Sequence, residues 1–254
     1  MAKPTAVEIK NNIQAEDAEV WSQASQRPEG LDLLEGDFAN AIASTWSDVE
    51  EAFVIASVSV TGGSSTPGGP LQNGVATLSP GMLTNSVSFA AIVDDFSASF
   101  SYGATEGLLA LVEAISFAIG QNFALWVAGY SATLVASGGT CGWVAGPPPA
   151  SGPWADGEIE DFAIENGTST GDSGMAADGL YEAIANGADP SILKQNQNTL
   201  QPGLSSFIAA VAKGFETTWN QWKARTKISG GTGSGTTSPP NGAVVGTVAS
   251  PSVG

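Results

Sequence analysis

The sequence predicts an α+β chain: amphipathic helices, each followed by a strand and a Gly/Pro-rich arm, with an acidic loop-rich region in the middle. Three observations predict it. Apolar residues recur at steps of three and four over several long segments, the period of one helix face. These segments run into short, alternating, β-branched stretches of strand type. Runs of Gly, Pro, Ser and Thr follow, nearly free of large side chains.

Taken in order, residues 5–25 carry Val7, Ile9, Ile13 and Val20/Trp21 among polar residues. Residues 31–58 follow Pro28-Glu29-Gly30 and align Leu34, Phe38, Ile42, Trp46, Val49 and Phe53 in one stripe. Val54 to Thr61 then alternates as a strand, and Gly62-Gly63 opens an arm that reaches Asn73-Gly74. Residues 104–128 repeat the stripe with Leu108, Leu111, Ile115, Ile119, Phe123 and Trp126. Tyr130 to Val135 is the strand there, Gly138-Gly139 the break, and Pro147, Pro148 and Pro149 follow. A short helix is expected at 175–187, with Asp172 or Ser173 as its cap. Residues 203–226 place Phe207, Val211, Phe215, Trp219 and Trp222 on one face. Lys223 to Ser229, Gly230-Gly231 and an arm through Asn241-Gly242 come next.

Five segments result: an acidic helix at 1–30, a first helix–strand–arm repeat with a following helix at 31–103, a weaker middle repeat at 104–150, an acidic loop-rich insert with a short helix at 151–202, and a last repeat with an extended arm at 203–254. At an offset of 169, Phe38 matches Phe207, Ile42 matches Val211, Trp46 matches Phe215 and Phe53 matches Trp222. After a one-residue deletion, Gly62-Gly63 falls on Gly230-Gly231 and Asn73-Gly74 on Asn241-Gly242. Asn-Gly favours a tight hairpin turn. The arms cannot form a core alone, so those at 62–81 and 230–254 are expected to lie on neighbouring subunits.

Composition excludes several chemistries. The 254 residues include no histidine and one cysteine, Cys141, so neither a Ser-His-Asp triad nor a Cys-His pair can form. The formal charge is −17, and 166 consecutive residues between Arg27 and Lys194 lack Lys and Arg. That stretch would repel nucleic acid and anionic lipid. Acids dominate 1–51 and 152–190, whereas 194–227 carries five bases against Glu216 alone. The N-terminus has no apolar signal region.

The remaining motifs are weak. Gly171-Asp172-Ser173-Gly174 resembles the nucleophile motif of chymotrypsin-like proteases but lacks an imidazole partner. Asp156, Glu158, Glu160 and Asp161 form a candidate Ca²⁺ site; Asp161 and Gly167 fall where an EF-hand needs Gly and Glu. Asp94, Asp95, Glu106, Glu113, Glu158 and Asp161 are candidate carboxylates for glycoside hydrolysis, with Trp143 and Trp154 as sugar platforms. Residues 114–136 carry no charge, long enough for a membrane span within 107–136, but Gln121 and Asn122 interrupt it and no basic residue flanks it. Cys141 reads as a small filler.

The tandem helix-then-Gly-Gly arms at 31–81 and 203–254, the small-residue surface and the absence of a catalytic constellation together resemble virion structural proteins of tailed bacteriophages or contractile injection machines, in their neck, tail and baseplate parts. The resemblance implies a non-catalytic subunit without cofactors, found in a virion or soluble assembly, whose partners are copies of itself and other structural subunits. The expected interface residues are Phe38, Trp46, Phe53, Phe207, Phe215, Trp219 and Trp222, in the core or in a bundle with symmetry mates. Lys213, Lys223, Arg225 and Lys227 are expected to meet the acidic blocks of a neighbour. A carbohydrate-active or carbohydrate-binding protein and an envelope protein are the other readings.

Overall fold

A computed structural model describes residues 3–21, 30–100, 105–196, 199–200, 203–240 and 242–254. Helices and strands are mixed in the α+β manner. The helices are α1 (Ala6–Trp21), α2 (Leu31–Glu51), α3 (Ile92–Ser99), α4 (Glu106–Gly129), the one-turn α5 (Asp172–Met175), α6 (Ala177–Gly187) and α7 (Leu204–Arg225). The strands are β1 (Phe53–Ile55), β2 (Ser57–Gly63), β3 (Leu71–Leu78), β4 (Leu83–Asn85), β5 (Tyr130–Cys141), β6 (Gly152–Ala163), β7 (Thr168–Ser169), β8 (Lys194–Asn196), β9 (Thr199–Leu200), β10 (Lys227–Ser238), β11 (Ala243–Ala249) and β12 (Ser252–Val253).

The helix starts have local causes. At α1 the Thr5 hydroxyl accepts from the Glu8 amide at 3.2 Å, and the Glu8 carboxylate accepts from the Thr5 amide at 2.9 Å. This is a capping box, which satisfies two otherwise free donors. Thr105 caps α4 by accepting from the Leu108 amide at 3.4 Å. Helices α2 and α7 instead each follow a glycine in the left-handed region, Gly30 at φ 86° and Gly203 at φ 80°.

Helices α2, α4 and α7 meet in one aromatic core. Trp46 on α2 lies 5.2 Å from Phe215 on α7, and Trp126 on α4 lies 4.8 Å edge-on to Trp219. Trp222 stacks on Trp219 at 4.8 Å and on Phe53 at 5.7 Å. Such tilted and offset pairs suit the ring quadrupoles. Helix α1 covers α7 closely: a side chain at Gly214 would meet the Ile13 backbone, and the Asn12 amide donates to the Thr218 hydroxyl at 3.0 Å.

Each of α2, α4 and α7 leads into a pair of antiparallel strands, β2–β3, β5–β6 and β10–β11. The pairs join through β3–β5, β6–β10 and β11–β2, so six strands close into a barrel in chain order. Closure removes the free sheet edges. The alternating direction puts the three helix-to-strand junctions at one barrel end and the hairpin tips at the other. Inside are Val58, Val60, Ala76, Leu78, Leu134, Ala136, Ile159, Val244 and Val248, all buried. Trp154 fills the centre, because Gly157 and Gly233 leave space that any side chain there would take from its ring.

Four expectations change. The arms at 62–81 and 230–254 do not reach outward; most of their length is barrel strand on this chain's own sheet. Their backbone polar groups pair within the closed ladder, and their small inward residues fit its narrow interior. The acidic insert is not loop throughout: Gly152–Ala163 is a twelve-residue strand with its acids turned outward. Asn73 does not close a hairpin; it sits at φ 50° in an irregularity of β3, and the tip lies at 64–70. Asn241 lies outside the described residues. Helix α6 is where a helix is expected, but its N-cap is Ala176, with no side-chain bond from Asp172 or Ser173.

Candidate interaction surface

The aromatic interface candidates are not at the surface. Phe38, Trp46, Phe53, Phe207, Phe215, Trp219 and Trp222 are all buried in the chain's own core. The three stripes face one another, so the expected bundle forms within one molecule and leaves these rings nothing to offer a neighbour.

The basic candidates likewise have partners at home. Arg225 reaches Glu8 at 3.0 Å, Lys227 reaches Asp161 at 2.8 Å and Lys213 reaches Glu16 at 2.8 Å; Lys223 is 3.9 Å from Asp172. The fold brings the C-terminal bases against both acidic blocks of the same chain. The Glu8 carboxyl is held below the usual carboxylate range, first by the Thr5 amide and then by Arg225. Lys3 bonds Glu51 at 2.7 Å and lowers its carboxyl in the same way. Glu50 behaves oppositely. It is buried, one oxygen accepts from the Trp222 indole at 3.3 Å and the other has no hydrogen-bond partner, so burial pushes its carboxyl up.

The barrel wall, by contrast, is exposed. Strands β2, β3, β5 and β11 contain no Asp, Glu, Lys or Arg. Their registers set Val245 beside Thr61, Thr61 beside Val75 and Val75 beside Val135. The three valines are 66%, 43% and 50% exposed in that order. One pleat away, Ser234, Thr247, Ser59, Thr77 and Thr133 form a second exposed row. At about 4.8 Å between strands, the valine row alone extends roughly 14 Å around the wall. Apolar side chains gain on desolvation and small hydroxyls can re-form their hydrogen bonds across a contact, whereas charged groups lose much.

Compared with family models, curated proteins and solved structures, the chain matches none. The sequence does not disclose the wall because Val75 and Val245 stand in Gly-rich arms, and the strand ending at Val135 gives no sign of its partner until the strands are paired.

The other candidate groups do not assemble. Asp156, Glu158, Glu160 and Asp161 all project from one extended strand, and among the described residues no group of three or more His, Cys, Asp or Glu could hold a metal ion. The strand pleat separates side chains that a Ca²⁺ cage must gather. The carboxylates considered for glycoside hydrolysis are split between helices and barrel: Asp95 accepts from the Thr45 hydroxyl at 2.7 Å, Glu106 and Glu113 are on α4, and Glu158 and Asp161 are on β6. Trp143 and Trp154 are buried, so neither offers a sugar platform. Asp172 accepts from the Trp126 indole at 2.9 Å and the Ser169 amide at 2.8 Å, which makes it a clamp between α4 and β7. Cys141 is buried, and burial raises its thiol pKa. Among the described residues α4 is the one helix long and apolar enough to cross a membrane, and half of its apolar window is buried in the protein.

Proposed function

We propose that this chain is a non-catalytic structural subunit of a large oligomeric assembly, of the tail, neck or baseplate type found in tailed-phage virions. The observation that carries the reading is the uncharged barrel wall. Protein contacts are depleted of charge at their centre, and an exposed apolar row framed by hydroxyls has that composition. In a chain of charge −17 this wall is where a second subunit meets the least repulsion. The contact is wall packing rather than arm exchange, since the arms are strands. We also read the three helix–hairpin units as copies of one element. Gly30 and Gly203 start the outer two alike, and the positive-φ pairs Gly138-Gly139 and Gly230-Gly231 link the last two.

Sedimentation equilibrium at physiological salt tests this. The native chain should self-associate, and the double variant Val75→Lys/Val135→Lys should be monomeric with an unchanged circular-dichroism spectrum. A native chain that stays monomeric across the concentration range, or a double variant that associates equally well, would overturn the wall as the contact.

A further inference from the structure

On the helical half, α4 has a second unpartnered feature: a groove of about 970 Å³. Its floor is Glu106, Leu109, Ala110, Glu113, Ala114 and Phe117. These positions recur at steps of three and four, so the groove follows one face of α4 for three turns, about 16 Å at 1.5 Å per residue. Ala90 and Val93 form one wall, and the chain from Gly187 to Ile192 forms the other. Phe117 is 58% exposed, and Leu125, about two turns further along the helix, is 63% exposed. A phenyl ring left this open in the floor of a groove is a ready anchor for a partner.

The charge around the groove is of one sign. Glu106, Glu113 and Asp189 line it, and among the described residues no Lys or Arg does. Among the described residues neither Glu106 nor Glu113 has an ion pair or hydrogen bond. Asp189 accepts from the Ser191 amide and hydroxyl at 2.7 and 2.6 Å, which holds its carboxyl in the ionised form.

We propose that this groove takes an amphipathic, basic helix of another protein. Apolar side chains of that helix at i, i+4 and i+7 would lie on Leu109, Ala110 and Phe117, with Lys or Arg beside Glu106, Glu113 and Asp189. The length and the helical repeat of the floor favour a helix laid along it. A second copy of this chain is disfavoured, because it would bring the same three carboxylates face to face. An anionic bilayer is disfavoured by the same charges. The groove and the barrel wall are separate surfaces, so this proposal does not rest on wall packing.

The probe is a synthetic, fluorescein-labelled helical peptide of leucine and lysine in that spacing, titrated by anisotropy against the full chain at physiological salt. Its counterpart with glutamate for lysine should not bind. Phe117→Ser and the pair Glu106→Gln/Glu113→Gln should each weaken the lysine peptide about tenfold. The pair Glu158→Gln/Glu160→Gln on the barrel removes the same charge and should leave the affinity unchanged. Melting curves of all variants should match the native chain, since each substituted side chain is exposed. Equal weakening by the barrel pair would show general charge attraction and overturn the proposal. So would full affinity in Phe117→Ser, or no binding of the lysine peptide to the native chain.

Discussion

The helical half and the barrel half bury their surfaces with different side chains and present different ones to solvent. The helical core is built from tryptophan and phenylalanine, whose large areas lock three long helices together. The barrel interior is built from Val, Ala, Leu, Ile and Gly around one Trp154, because six strands enclose too little room for more large rings. Outside, the contrast reverses in kind. Within the six barrel strands the charged residues are Asp156, Glu158, Glu160 and Asp161 on β6 and Lys227 at the start of β10. Nearly all other charge decorates the helices and their connections. The helical half therefore carries the solubility, and the barrel carries a neutral face suited to contact.

The largest expected effect tests whether the halves are one cooperative unit. Trp219→Ala opens the helical core and Trp154→Ala the barrel, and each should cost about 3–5 kcal/mol. Because each hairpin of the barrel grows from a core helix, both variants should melt in a single transition seen alike by near- and far-ultraviolet circular dichroism. A Trp154→Ala protein that loses its barrel while keeping the helical core would split the comparison into two independent domains.

Next is Glu50, the buried acid beside Trp222 in the aromatic core. Its folded pKa is raised, so its contribution is fully present below the ordinary carboxylate range and is lost as pH rises through the folded value. Glu50→Gln keeps the acceptor for the indole and removes the charge. The variant should gain about 1–2 kcal/mol over the native chain at about pH 8 and little at about pH 4. Urea melts at the two values check this, and no pH dependence in the difference would show that Glu50 is solvated in solution. Glu8 has the opposite sign: its lowered pKa contributes stability above the ordinary carboxylate range, lost as pH falls through the folded value. Arg225→Ala should cost only about 0–1 kcal/mol, since Arg225 and Glu8 are 42% and 37% exposed and screened. Glu8→Ala should cost somewhat more, about 1 kcal/mol, because it also opens the capping box.

The two halves differ again in how much of them the sequence discloses. Helix periodicity is a local signal, so the stripes of α2, α4 and α7 and their burial are legible from residues such as Trp46, Trp126 and Trp219. The barrel is non-local. Gly157, Gly233 and Gly246 give no apolar signal, because the side chain that fills their space is Trp154. The alternation of Gly157 and Ile159 against Asp156, Glu158 and Glu160 slips by one residue at Asp156, whose φ is 60°, so Trp154 falls out of phase and the stretch reads as an acidic loop. The aromatic stripes leave the chain's own core and a bundle with symmetry mates both open for a related reason: an aromatic stripe shows that a face is buried, and only the fold shows against what. Phe117 illustrates the reverse. It stands in the most apolar run of the chain and looks like core, yet it is more than half exposed. The Thr5–Glu8 capping box, by contrast, is readable from its Thr-x-x-Glu spacing alone.

The smallest effect on stability separates the halves most cleanly. Thr77→Lys on the barrel wall and Asn40→Lys on the outer face of α2 each add one positive charge at an exposed neutral site. Both should change unfolding free energy by no more than about 0.5 kcal/mol, because neither touches a core, a cap or a buried partner. They should differ in solution behaviour. Lysine at Thr77 stands in the hydroxyl row between Ser59 and Thr133, where a facing subunit would have to desolvate it. Lysine at Asn40 joins a surface already charged and hydrated. Light scattering after size exclusion should show a smaller assembly for Thr77→Lys and the native size for Asn40→Lys. If both variants lose association equally, the contact depends on net charge over the whole molecule. The neutrality of the barrel would then be a consequence of its narrow, glycine-rich build and not the basis of its contacts.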